Sequence, residues 1–91
     1  MIRSFRHKGL ERYFTKSERK GIDARQERRI RRILDRLDAA SKPEDMNLPG
    51  LKYHALHGSP ARYSIWVSGN WRITFGFRDG DAVEVDLEDY H

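Results

Sequence analysis

The side chains best suited to moving protons are gathered at Asp89-Tyr90-His91, where a carboxylate, a phenol and an imidazole follow one another. Two further imidazoles, His54 and His57, stand upstream with Lys52 beside them. Between the two sets lies Asn70-Trp71-Arg72-Ile73-Thr74-Phe75, which places a guanidinium inside an alternating run. Imidazole exchanges protons near neutral pH, and guanidinium is a permanent fork for phosphate or carboxylate. Together these groups could run general acid–base chemistry on a phosphate-bearing substrate. Each also has an ordinary reading: His7 as a helix cap, His54 and His57 as exposed strand residues, the tail as polar surface. Cys is absent, which removes disulfides, thiolate metal sites and a cysteine nucleophile. Zinc on His54, His57, His91 and Asp89 is disfavoured, because His-x-x-His on a strand sends its two rings to opposite faces. No metal and no cofactor is expected.

The elements that must position these groups are legible in the hydrophobic period. Ile2 to Phe5 suits a short first strand, and His7 to about Lys20 reads helical, with Leu10, Tyr13 and Phe14 on one face and Gly21 closing it. Asp23 followed by Gln26 resembles a capping box for a second helix. There Ile30, Ile33, Leu34 and Leu37 form the i, i+3, i+4, i+7 stripe of a buried face. Arg25, Arg28, Arg29, Arg32 and Arg36 occupy the other face, and Glu27–Arg31 and Arg31–Asp35 have ion-pair spacing. Residues 43–50 form a connector with two prolines.

Beyond Gly50 the period becomes two. Leu51 to His57 is a candidate strand, and Tyr63/Ile65/Val67, Trp71/Ile73/Phe75/Phe77 and Val83/Val85/Leu87 mark three half-buried antiparallel strands. Three-residue loops at Ser68-Gly69-Asn70 and Asp79-Gly80-Asp81 keep each apolar set on one face. They pair Val67 with Trp71, Ile65 with Ile73, Tyr63 with Phe75, Phe77 with Val83, Phe75 with Val85 and Ile73 with Leu87. Asn70 takes the left-handed position. The predicted fold is a two-layer α+β domain spanning residues 1–91, both helices covering the apolar face of a mainly antiparallel four- to five-stranded sheet. The opposite face carries Trp66, Arg72, Thr74, Arg78, Glu84, Asp86, Glu88 and, by continued alternation, Tyr90. Arg72 is then opposite Glu88 and diagonal to Tyr90. Trp66 could stack on a base or cover the core edge, and Trp71 has core-facing parity.

Composition narrows the partners. The chain of 91 residues carries a net charge of +4, and its mean hydropathy of −0.87 leaves no run apolar enough for a membrane span. A cytoplasmic protein is expected. Residues 1–42 hold 14 Lys/Arg against 6 Asp/Glu, whereas residues 43–91 hold 4 against 8. The basic half suits a polyanion such as nucleic acid.

Met1-Ile2-Arg3-Ser4-Phe5, Asn70-Trp71-Arg72-Ile73-Thr74-Phe75 and Glu88-Asp89-Tyr90-His91, with the order strand, two helices, sheet, resemble the HigB-type toxins of the RelE/ParE superfamily. The resemblance spans nearly the whole chain. It implies a ribosome-dependent messenger-RNA endonuclease that needs no metal and cuts in the A site of the 70S ribosome. It also implies neutralisation by a HigA-like helix-turn-helix antitoxin, through which operator DNA is contacted indirectly. By the same resemblance His54, Asp89, Tyr90 and His91 are the catalytic set, and Arg72 holds the scissile phosphate, with His57, Lys52 and Trp66 alongside. The arginines Arg25, Arg28, Arg29, Arg32 and Arg36 would meet ribosomal RNA. The family often has Lys where this chain has His57. Because a histidine loses its charge as pH rises, the departure implies activity that falls more steeply with pH than in a His57→Lys variant. Two alternatives use no nuclease chemistry: a ParE-like inhibitor of DNA gyrase, and a non-catalytic nucleic-acid-binding module.

Overall fold

A computed structural model describes residues 1–90; His91 lies outside the described residues. Two helices, α1 (Lys8–Lys16) and α2 (Glu27–Ala39), precede a 3₁₀ turn (Pro43–Met46) and four strands. The strands are β1 (His54–Leu56), β2 (Arg62–Ser68), β3 (Trp71–Arg78) and β4 (Asp81–Asp89). They form one antiparallel sheet in the order β1-β2-β3-β4. The N-terminal segment adds to the β4 edge through two parallel bridges, Ile2–Ala82 and Phe5–Val85, in place of the continuous first strand predicted over Ile2 to Phe5.

The stripe read from the sequence is the core. Ile30, Leu34 and Leu37 are fully buried and Ile33 nearly so, against Leu10, Ile65, Ile73, Phe75 and Val85. Each such aliphatic side chain contributes about 1.5–3 kcal/mol of burial free energy. This layer holds the sheet's other face toward solvent, where the chemistry lies.

The ends of both helices differ from the sequence reading. Helix α1 stops at Lys16 because Ser17 turns left-handed (φ 58°) and its N–H bonds back to Tyr13 O, so Gly21 does not cap it. At the other end the His7 Nδ1 accepts from Leu10 N at 3.1 Å. Helix α2 starts at Glu27 without the predicted capping box. Asp23 instead accepts from Arg25 N, while the Gln26 side chain donates to Ser68 Oγ at 2.8 Å. That bond fixes the start of α2 to the end of β2. Glu27 is engaged by Arg19 and the Tyr13 hydroxyl rather than ion-paired with Arg31, whereas the Arg31–Asp35 pair forms as spaced.

Most face assignments hold, though the loops are shorter than predicted. Gly69-Asn70 is a two-residue connection with Gly69, not Asn70, in the left-handed region, and Ser68 rather than Val67 pairs with Trp71. Val67 is the extra, bulged residue, after which Ile65–Ile73 and Tyr63–Phe75 pair as expected. Asp79-Gly80 is likewise a two-residue loop with both φ positive, the form that matches strand twist. Phe77 therefore pairs with Ala82, not Val83. A bulge on β4, with Glu84 at φ 51°, restores Ile73–Leu87 and Arg72–Glu88. A residue removed from each loop reappears as a bulge, so the apolar parity survives except at Val83, which pairs with Gly76 on the opposite face while Ala82 takes the core position. The strand predicted over Leu51 to His57 is confined to His54–Leu56, leaving His57 past its end.

Candidate active site

Antiparallel partners share a face, so the pairings define what the solvent-side surface holds. One row runs His54–Ser64–Thr74–Asp86 across all four strands, and the next runs Trp66–Arg72–Glu88. Tyr90, two residues past Glu88, joins this face with its backbone N–H on Asn70 O at 2.8 Å. Its ring lies under the Arg72 guanidinium, 5.7 Å from Cζ to the ring centroid. The predicted juxtaposition of Arg72, Glu88 and Tyr90 is thus present.

The surface is not as open as alternation suggested. Ser64 and Thr74 are fully buried. Arg62 reaches over Thr74, its Nη2 donating to Thr74 Oγ1 at 3.1 Å and to the Glu84 carbonyl at 2.9 Å. The Thr74 hydroxyl in turn makes a short hydrogen bond to the Glu88 carboxylate. Arg72 Nη1 is buried and meets no hydrogen-bond acceptor among the described residues, an arrangement that costs about 1–3 kcal/mol. The Arg72 guanidinium is half-buried and stands beside the Tyr90 ring on this face.

Two groups here titrate away from their ordinary values. Burial, then the nearby Glu88 carboxylate, pushes the Tyr90 phenol up, with Arg72 and Arg62 opposing. Tyr90 is therefore a protonated donor across the physiological range. Burial, helped by Arg6, lowers the Arg62 guanidinium, against the pull of Glu88, Asp86 and Glu84. Arg62 was missed in the sequence reading. The signal was available: it has the parity of Arg72 and the position opposite Leu56 at the start of an apolar-alternating strand. Its reach to a bulge carbonyl was not legible.

Other predicted site residues separate from this cluster. Asp89 pairs with Trp71, on the parity opposite to Tyr90. Trp71 is 37% exposed rather than packed in the core. His54 is exposed on the site's face, its Nδ1 3.4 Å from Lys52 O. Lys52 sets its Nζ 4.4 Å from the Trp66 ring, and Arg29 sets its Cζ 5.1 Å from the same ring. Trp66 Nε1 donates to Gly69 O at 2.9 Å. Trp66 is thus clamped between connector and helix, which is the edge-covering role rather than a bare stacking platform. Arg29 also donates to Gly50 O at 2.8 Å, so it departs from the arginine face and serves the fold.

Arg28, Arg32 and Arg36 stay exposed and, with Arg19 and Arg31, line an open groove of about 720 Å³ that also includes Tyr13, Glu27 and Asp35. Arg25 is exposed and paired with Asp23 at 2.9 Å. This groove lies on the helix layer. The sheet face instead gathers Arg72, Tyr90 and His54, the groups that could combine phosphate binding with proton transfer.

A family model described as a RelE-like toxin of the type II toxin–antitoxin system HigB matches residues 3–91. Among curated proteins, the Endoribonuclease HigB of Proteus vulgaris is 44% identical over 92 residues, covering 100% of both chains. A toxin of a type II system has an antitoxin as its partner. No helix among the described residues is long and apolar enough to cross a membrane. The chain belongs to the HigB family of RelE-like toxins of type II toxin–antitoxin systems.

Proposed function

We propose that this toxin is an endoribonuclease that cleaves messenger RNA in the ribosomal A site, and that the sheet face around Arg72 is its active site. The carrying observation is the half-buried Arg72 guanidinium, stacked on Tyr90 and not ion-paired among the described residues, on the face that also presents His54. The name of the Proteus vulgaris relative supports the reaction class. In the proposed step the ribose 2′-oxygen attacks the adjacent phosphorus while its proton passes to a base. The bond from phosphorus to the 5′-oxygen breaks, and that oxygen takes up a proton. A 2′,3′-cyclic phosphate and a 5′-hydroxyl result, with no metal required.

Arg72 holds the phosphate, as a guanidinium suits its planar pair of oxygens. Tyr90 orients or protonates through its hydroxyl. His54 and His91 divide the base and acid roles; His91 falls outside the described residues, so its part rests on the family resemblance. Asp89, at the end of β4 on the other parity, orients a histidine or a base. Lys52 and His57 supply positive or titratable groups at the rim, and the exposed Arg25, Arg28, Arg32 and Arg36 provide a ribosomal-RNA contact whose affinity falls with salt. A HigA-like helix-turn-helix antitoxin and a cytoplasmic setting accompany this reading. With so few cations at the site, the ribosome must supply substrate positioning, so cleavage of naked RNA is expected to be poor. The gyrase-inhibitor alternative gains nothing from the family or the relative.

Primer extension on a defined messenger in a reconstituted translation reaction tests the proposal. Breaks in the A-site frame with wild type, lost with His91→Ala, are expected. Intact messenger alongside growth arrest would overturn it.

A further inference from the structure

Arg72 faces Glu88 directly across β3 and β4. A carboxylate in that position is a natural ion-pair partner, and an Arg72–Glu88 pair would cancel the cation that an anionic ligand needs. The Glu88 carboxylate is instead taken by the Thr74 hydroxyl, and Thr74 Oγ1 accepts from Arg62 Nη2 at 3.1 Å. Arg62 is itself anchored on the Glu84 carbonyl exposed by the β4 bulge, at 2.9 Å. Thr74 is fully buried and its two side-chain bonds are part-buried, while Arg72 Nη1 is left without an acceptor among the described residues.

We propose that Thr74, oriented by Arg62, is a positioning residue that holds Glu88 off Arg72 and keeps the Arg72 guanidinium available for a phosphodiester ligand. The ligand's identity rests on the nuclease reading, whereas the relay does not. The relay explains how Glu88 of the carboxylate-rich β4 coexists with a phosphate-binding arginine. It also gives the bulge at Glu84 a purpose, since a regular strand would direct that carbonyl into the ladder.

The test is binding of a non-cleavable 2′-O-methyl RNA trinucleotide to the full chain at low salt, by calorimetry. Thr74→Val removes the hydroxyl at nearly constant volume and frees Glu88 to pair with Arg72. Affinity should fall about tenfold, the scale of one charge-assisted hydrogen bond. Thr74→Ser should bind as wild type, and Glu88→Gln alone at least as tightly. Thr74→Val/Glu88→Gln should return to within about twofold of wild type. A double variant as weak as Thr74→Val would show a merely structural role and overturn the proposal. So would a Glu88→Gln loss equal to that of Thr74→Val. The same variants in the messenger-cleavage reaction separate the two readings. Wild type that binds with this pattern but leaves messenger intact refutes the nuclease and supports the relay. Wild type that cleaves, with a Thr74→Val defect that Glu88→Gln does not repair, refutes the relay alone.

Discussion

Replacing Arg72 by Lys preserves charge and removes two things the structure assigns to guanidinium. One is the fork, of which Nη1 is the buried donor without a partner. The other is the planar contact with Tyr90 at 5.7 Å. A lost charge-assisted hydrogen bond is worth about 1.5–3 kcal/mol, and a partly desolvated cation–π contact about 0.5–2 kcal/mol. Lysine retains a weaker point-charge contact with each partner, so the net loss of transition-state stabilisation is about 2–4 kcal/mol. That corresponds to a fall in kcat/KM on the order of 30- to 1000-fold. The assay is the single-turnover rate of messenger cleavage on programmed ribosomes, read by primer extension. A thermal melt should show the variant folded, since Arg72 is only half-buried and outside the apolar layer. A Lys variant within threefold of wild type would refute the reasoning, because neither the fork nor the ring contact would then matter.

Tyr90→Phe keeps the ring under Arg72 and removes only the hydroxyl. If the phenol is a proton donor, kcat falls by about 10²–10⁴ with KM little changed. Since burial and Glu88 raise the phenol pKa, the loss should be the same from pH 6 to pH 9; a loss that appears only at high pH would contradict this. A Gly9→Ala methyl would come within 2.8 Å of His7 Cε1 and displace the ring that caps α1. Its gain in helix propensity is then offset, and Gly9→Ala and His7→Ala should each destabilise by about 0.5–1 kcal/mol without adding; a stabilised Gly9→Ala would disprove the cap. Asp81, Asp23 and Asp45 have lowered pKa values, chiefly through Arg3, Arg25 and the Ser41 N–H respectively. Groups depressed in the folded state stabilise above their unfolded pKa, and the benefit disappears as pH falls through the folded value. Melting temperature should therefore decline in acid below about pH 4, less steeply in Asp81→Asn, and an unchanged slope would discount that pair.

Much of the fold was local and therefore readable. The 3.6-residue stripe of Ile30, Ile33, Leu34 and Leu37 and the two-residue alternation of β2 to β4 each report one buried face, and both faces meet in one core. Element ends were less readable, because they depend on which partner a polar side chain finds. Gln26 could cap its own helix by sequence; in three dimensions Ser68 claims it. The loop lengths were misread for a related reason. A two-residue loop plus a bulge restores, beyond the bulge, the same parity as a three-residue loop, and parity is all that the hydrophobic pattern encodes.

By itself the sequence determined which residues could share the site's face. Side-chain parity is fixed by backbone geometry, and register by the apolar pairs Ile65–Ile73 and Ile73–Leu87. It thereby brought Arg72, Glu88 and Tyr90 together and left Arg62 with the right parity. Only the tertiary structure decided their partnerships. The bulge at Glu84 directs a carbonyl to Arg62, Arg62 fixes Thr74, and Thr74 takes the carboxylate that would otherwise neutralise Arg72. Those bonds link residues on three strands, from the buried Thr74 out to the exposed Glu84. Their energies depend on burial and competing partners, neither of which any single stretch of chain contains.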